Sequence, residues 1–227
     1  MLLKNLSLLK KLDVEVFLGI ELEFYSTLPN SHFQFKDIII KDELGLNQKE
    51  AVFLHSNNVL QVLKDVICFR NKFKKEANFN AFISSNLPPS SMQFNVSIKS
   101  KNYNLLNENI LHFLLEETKK NLSFFIPTQN CKKRIQDLNL INKFRNSPYT
   151  FSIGDKNNRT VMIRLVNDYF EHRLPSPCCN ILKSFNVILN AIILGLKSNK
   201  NYKIQIVHSN AFEKSVIEDL NLNTIFK

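Results

Sequence analysis

Two stretches of the chain alternate apolar and polar residues with a period of two. From Val14 to Tyr25, Leu18, Ile20, Leu22 and Phe24 occupy every second position, which predicts a strand with one buried face. From Met92 to Ile98, the residues Met92, Phe94, Val96 and Ile98 oppose Gln93, Asn95 and Ser97. Asp37 to Glu43 and Glu50 to His55 read as two more strands around a turn at Gly45-Leu46-Asn47. Thr160 to Val166 and Tyr169 to Leu174 read as a hairpin closed by Asn167-Asp168, which Pro175 and Pro177 end. Helical spacing appears elsewhere. Ser56 is expected to cap a helix carrying Val59, Val62, Leu63, Val66 and Phe73. Asn107 to Leu122 is an amphipathic helix that stops near Pro127. Asn180 to Lys197 is another, with Leu182, Phe185, Leu189, Ile192, Ile193 and Leu196 toward a core. The opening MLLKNLSLLKKLDVEV has lysines inside its apolar stretch and no small-residue cleavage site, so it reads as an amphipathic helix rather than a secretion signal. Meandering strands followed by helices give an α+β fold with a largely antiparallel sheet. One domain is expected over 1–227, with a core at 14–197 and a helix-and-strand appendix at 198–227 whose role the sequence leaves open.

The polar positions of these strands hold the candidate chemistry. Glu21 and Glu23 project from one side of their strand, roughly 6 to 7 Å apart. Glu171 and Arg173 share a face in the same way, as do Gln93, Asn95 and Ser97. Such faces can simply meet water. Glutamate is nevertheless depleted in strands, and carboxylates converging on one sheet face repel unless cations lie among them. Oxygen ligands of this kind suit a hard divalent ion. A solvated face and a metal site both remain open on spacing alone.

The chain carries 30 Lys and Arg against 20 acidic residues, a net charge of +10. The lysines are scattered, with no run of five or six like charges and no nucleic-acid motif, so nucleic acid is not the expected partner. An anionic small substrate accounts for part of the charge. No apolar run approaches the roughly 18 to 20 residues that span a bilayer, so no membrane partner is expected, and a cytoplasmic location follows by default. Cys68, Cys131, Cys178 and Cys179 form neither a CxxC pair nor a disulfide framework. Adjacent Cys178 and Cys179 could be a reactive thiol pair, but small buried residues in a reducing compartment are the expectation. The five histidines, His32, His55, His112, His172 and His208, show no metal-ligand spacing, and His172 reads as packed or superficial.

Six segments in order resemble the catalytic domain of glutamine synthetase. Gly19-Ile20-Glu21-Leu22-Glu23-Phe24 resembles that family's GxExEF strand, and Asp42 to Glu50 its HEVAPGQHE turn. Ser90 to Ile98 is similar to its GSGMHxHxSL segment, and Pro127 to Arg134 to NPTVNSYKR. Asn158 to Arg164 resembles NRSAxxRI, and Glu171 to Asn180 resembles ExRxPDPxANPYL. The resemblance implies a mainly antiparallel curved sheet with flanking helices, and a site for two Mg²⁺ or Mn²⁺ ions with ATP as co-substrate. It implies that Glu23, Glu43 and Glu50 hold one ion, and that Glu21 and Glu171, with Gln93 in place of a histidine, hold the other. Arg159 and Arg164 would bind nucleotide phosphates, with Asn95 and Ser97 nearby. Arg134 and Arg173 would meet the substrate carboxylate and the transferring phosphoryl group, which puts Arg134, Arg159 and Arg173 in catalytic roles.

The implied reaction, in nitrogen metabolism, activates a glutamate-like γ-carboxylate as an acyl phosphate for attack by ammonia or another amine. The chain also departs from the family. Gln93 and Asn95 replace histidines, Pro89 and Ser91 replace glycines, Tyr169 replaces an arginine, and Asn146 stands nearest to a mobile glutamate. Met1 to Asp13 hold no counterpart of the family's N-terminal aspartate, so the base is expected from a homo-oligomer or another partner. The alternative is a degenerate relative that binds nucleotide and metal as a regulatory or interaction protein.

Overall fold

A computed structural model describes residues 1–101, 103–155 and 158–226. The N-terminal segment is a helix, α1 (Leu2–Lys11), as its amphipathic pattern predicts. It leads into the long strand β1 (Glu15–Tyr25), followed by β2 (Ile39–Asp42), β3 (Gln48–Ser56) and helix α2 (Val59–Lys72). Next come β4 (Met92–Ser100), a short β5 (Tyr103–Asn104), α3 (Glu108–Lys120) and α4 (Leu122–Phe125). Helices α5 (Gln129–Gln136) and α6 (Leu138–Phe144) precede β6 (Thr150–Gly154), β7 (Val161–Val166) and β8 (Tyr169–His172). Helix α7 (Ile181–Lys197), β9 (Ile206–Val207) and α8 (Lys214–Asp219) complete the order.

The strands form one nine-stranded sheet in the order β2-β3-β1-β4-β8-β7-β6-β9, with β5 paired beside β4. Pairing is antiparallel from β2 through β7, while β6 runs parallel to both β7 and β9. The α+β, mainly antiparallel architecture is therefore the one expected. The appendix adds β9 to the sheet edge and α8 beyond it, and its last residue, Lys227, lies outside the described residues.

Hydrophobic burial explains the layering. Leu18, Ile20, Leu22 and Phe24 of β1 and Met92, Phe94, Val96 and Ile98 of β4 are all fully buried. They form one core with the apolar faces of α2, α3 and α7. Phe94 meets Phe185 of α7 edge to face, with ring centroids 5.8 Å apart. Helix α7 lies close on α3 at Gly195, where an added Cβ would come within 2.5 Å of the Ile110 backbone. Because strand side chains alternate, this helical layer leaves the glutamates of β1 on the other face.

Some local expectations shift. Asn58, not Ser56, caps α2 by accepting from the Gln61 N–H at 3.3 Å, while Ser56 Oγ accepts from Asn58 N–H. Leu182 is exposed, because it lies in the first turn of α7 on the outer face. Helices α5 and α6 and strand β6 carried no usable period in the sequence.

Asn180 caps α7 by accepting from the Lys183 N–H at 3.1 Å. Replacing Asn180 with Ala is expected to lower stability by about 1 kcal/mol, read as a shifted urea midpoint with unchanged slope.

Candidate active site

The register of the sheet turns the alternating glutamates into a row. Glu23 lies opposite Glu50 across β1 and β3, and Glu21 lies opposite Gln93 across β1 and β4. Further along, Asn95 pairs with Glu171, and Glu171 with Arg164. Glu43 joins from the turn before β3, where its N–H donates to the Gln48 carbonyl at 2.9 Å. That turn needs Gly45, since an added Cβ would sit 2.6 Å from the Tyr25 hydroxyl and 2.9 Å from Gln48 Oε1.

A cavity of about 80 Å³ opens over this row. Its walls are five glutamates (Glu21, Glu23, Glu43, Glu50, Glu171), three arginines (Arg159, Arg164, Arg173), and Leu44, Gln48, Gln93 and Asn146. The charges are not evenly spread. On one side, Glu23 is buried and pushed up to about 7, first by desolvation and then by Glu43, against the hydrogen bond it accepts from Ser91 N–H at 2.7 Å. Glu50 is raised to about 8 by burial, with further repulsion from Glu21, Glu43 and Glu23. Lys41, exposed on the paired strand, offsets this only from 3.4 Å. Glu21 is raised by burial and by Glu171, and lowered by the amide it accepts from Asn95 at 3.3 Å.

On the other side, cations dominate. Arg173 donates through Nη1 to Glu171 Oε2 at 2.7 Å and to Gln93 Oε1 at 2.9 Å. Its Nε and Nη2 donate to the carbonyls of Arg159 and Asn146, at 3.3 and 3.2 Å. Arg164 Nη2 donates to the other oxygen of Glu171 at 2.9 Å. Arg159 is exposed at the rim and, among the described residues, forms no ion pair.

The sequence-derived candidates are thus mostly brought together, but three stand elsewhere. Arg134 does not line the cavity. It is fully buried, donating to the carbonyls of Leu174 at 2.7 Å, Arg173 at 3.4 Å and Ser90 at 3.5 Å, and desolvation lowers it to about 10. Ser97 is buried with its hydroxyl 3.2 Å from His55 Nε2, and Asn95 sits behind Glu21. His172 is packed, stacked on Phe125 at 4.9 Å and bonded to Thr118 at 3.0 Å, and burial lowers it to about 3. Gln48 was not foreseen. It lies two residues before Glu50 on the same strand face, and its amide reaches Glu23, Pro89 and Ser90. That alternation was the signal available for it.

Among the described residues, no three carboxylate, histidine or cysteine side chains already form a coordination sphere. The donor set of the glutamate-rich side still suits a hard cation. It is all oxygen, Glu43 adds to the burial that raises both Glu23 and Glu50, and Asn146 has a buried Oδ1 without a partner among the described residues on the same cavity. The oxygens of Glu23, Glu43 and Glu50 are thus of the donor type a hard divalent ion takes. Gln93 and Glu171 are already engaged by Arg173.

A mainly antiparallel sheet whose open face carries carboxylates on one side and arginines on the other defines an α+β protein with a charge-divided cavity. The family model "Glutamine synthetase, catalytic domain" matches residues 23–225, and the chain belongs to that family. The match reaches into the segment after α7. No curated protein sequence matches the chain. Among solved structures, the cryo-EM structure of Plasmodium falciparum glutamine synthetase is similar, with a TM-score of 0.65 and 16% identity over 88% of this chain and 55% of that one. A GmaS structure in complex with ADP is similar with a TM-score of 0.73 and 17% identity, over 98% of this chain and 64% of that one. The chain thus spans between 55% and 64% of these relatives' lengths. At such identities the likeness carries the fold. Among the described residues, no helix is long and apolar enough to cross a membrane.

In metal-free buffer, Glu50 and Glu23 hold protons in the folded chain at pH values where the unfolded chain, near 4.5, has lost them. Stability is therefore expected to fall as pH rises from about 4.5 to about 8. Thermal melts should show added Mg²⁺ restoring more stability at pH 8 than at pH 5.

Proposed function

We propose that the chain is an ATP-dependent carboxylate–amine ligase of the glutamine synthetase kind. The observation carrying this reading is the polarised cavity, with mutually repelling glutamates on one side and arginines on the other. ATP presents the same division, since its phosphates need guanidinium donors and its charge needs a divalent counter-ion. Glu23, Glu43 and Glu50 hold a Mg²⁺ or Mn²⁺ ion, which supplies charge neutralisation for phosphoryl transfer. Glu21, Glu171 and Gln93 are the set for a second ion, and taking it requires Arg173 to yield its two acceptors. Arg159, free at the rim, and Arg164 bind phosphate oxygens. Arg173, held from four directions, faces the phosphoryl group in transit.

The reaction is attack of a γ-carboxylate oxygen on the terminal phosphorus of ATP, giving an acyl phosphate and ADP. An amine then attacks the acyl carbon and expels phosphate. Arg134 has no exposed surface, so we assign it to supporting the chain at Arg173 and Leu174 rather than to touching substrate. The proton of the amine is left to a group from another subunit or partner. Exposed Leu44 and Leu46, beside Glu43, lie where such a chain would reach the cavity. A second reading has its own support. With Gln93 and Glu171 tied to Arg173, the site could hold nucleotide with one metal and stop short of turnover.

Phosphate release from ATP with Mg²⁺ or Mn²⁺, with and without glutamate, separates the two. Glutamate-stimulated release is expected, whereas nucleotide binding without turnover under every condition would favour the second reading. Glu23→Gln and Arg159→Ala are each expected to weaken Mg·ATP binding by about tenfold or more, as loss of a charged contact worth about 1.5–3 kcal/mol implies. Unchanged affinity in both variants would contradict the assignment. Gln93→His is expected to tighten divalent binding in a calorimetric titration, because imidazole is a stronger ligand than an amide oxygen; equal or weaker binding would count against the second set.

A further inference from the structure

The sequence places Cys178 beside Cys179, but the fold pairs it with a different thiol. Cys131, in the first turn of α5, has its sulfur 3.3 Å from that of Cys178, in the turn between β8 and α7. The two residues differ in access. Cys131 is buried, whereas Cys178 is half-buried and opens into a cleft of about 470 Å³ that Lys74, Lys75, Asn78 and Asn80 also line. Lys74, Lys75, Asn78 and Asn80 are exposed there. Cys179 is buried, and desolvation raises it to about 12. Cys68 is exposed on α2, a separate element.

We propose that Cys178 and Cys131 form a dithiol modification site for small anionic disulfides of the glutathione class, Cys178 as the attacking thiol and Cys131 as the resolving one. The lysines of the cleft suit the carboxylates of such a reagent, and only Cys178 meets the cleft. The surroundings of Cys131 favour its thiolate. Hydrogen bonds from Cys178 and then Thr128 hold it below the usual thiol range against burial, and the first turn of a helix favours the anion. Burial and the bond to Cys131 hold Cys178 protonated.

The short sulfur–sulfur contact reconciles reactivity with access. The Cys178 proton passes to Cys131 as the Cys178 sulfur bonds to one sulfur of the reagent. The reagent's S–S bond breaks, and the first glutathione leaves as a thiolate that takes the proton from Cys131. Cys131 thiolate then attacks Cys178 sulfur and expels the second glutathione thiolate, which is protonated by water. The chain loses two electrons and the reagent becomes two thiols.

A disulfide bond is about 2.0 Å long, so closure draws α5 toward the turn after β8. Arg134 stands one helical turn beyond Cys131 and donates to the Arg173 and Leu174 carbonyls. The bond would therefore lie directly behind the arginine side of the cavity. The chemistry itself does not depend on what that cavity binds.

The test uses the full chain in a Cys68→Ser background, treated with glutathione disulfide and read by intact mass and peptide mapping without reduction. The expected product has lost two hydrogens, with Cys131 joined to Cys178, and returns to the dithiol with dithiothreitol. Cys131→Ser should instead stop at one glutathione on Cys178, and Cys178→Ser should take up none. Circular dichroism confirms that each variant is folded. A Cys178–Cys179 bond, a lasting adduct on Cys178 in the presence of Cys131, or no reaction at either thiol would each overturn the proposal.

Discussion

The guanidinium of Arg173 reaches four separate parts of the chain. It neutralises Glu171 on the strand just before it, fixes Gln93 on β4, and takes up the carbonyls of Arg159 and Asn146 from the loops on either side of β6. Glu171 is almost wholly buried, and a buried carboxylate without such partners would be strongly destabilising. Beneath it, Arg134 spends its own charge on backbone carbonyls, which ties α5 to the strand end carrying Arg173. The loops that close the cavity are therefore positioned by two arginines, one above the sheet and one behind it.

This arrangement leaves the cavity divided. Around Glu171 the positive groups outnumber the single carboxylate, while Glu23 and Glu50 face other carboxylates, compensated by Lys41, the Ser91 N–H, the Gln48 amide and the more distant Arg134 and Arg173. Burial first, and the neighbouring carboxylates after it, raise the pKa values of these two residues. A structural network alone would gain from pairing every glutamate with an arginine. The imbalance is instead what a site would need if a mobile cation and an anionic substrate arrive together. Family membership and the fold agree with such use, and Arg159 at the rim, which forms no ion pair among the described residues, gives phosphate a donor.

Much of this was legible in the chain. The alternation of Leu18, Ile20, Leu22 and Phe24 against Glu21 and Glu23 survives unchanged, because a period of two leaves a half-buried strand one consistent arrangement. The hairpin of β7 and β8 and the Gly45 turn followed from local turn chemistry. Register did not, so the facing of Glu23 with Glu50 and of Glu21 with Gln93 was reachable only through the resemblance. Residues whose roles depend on depth rather than spacing were beyond reach. The resemblance puts Arg134 against the substrate, and only the packing of α5 shows that it is buried. Ser97 shares a face with Gln93, yet the neighbouring His55 takes its hydroxyl. Helices α5 and α6 are short, eight and seven residues, so their existence rests on what they cover.

The division of the cavity is tested most directly by diffraction from crystals grown with Mn²⁺ and ADP, using anomalous scattering to locate the metal. The account predicts a manganese peak among Glu23, Glu43 and Glu50, with the ADP phosphates against Arg159 and Arg164. Nucleotide bound elsewhere, or manganese absent from that side of the cavity at saturating concentration, would contradict it.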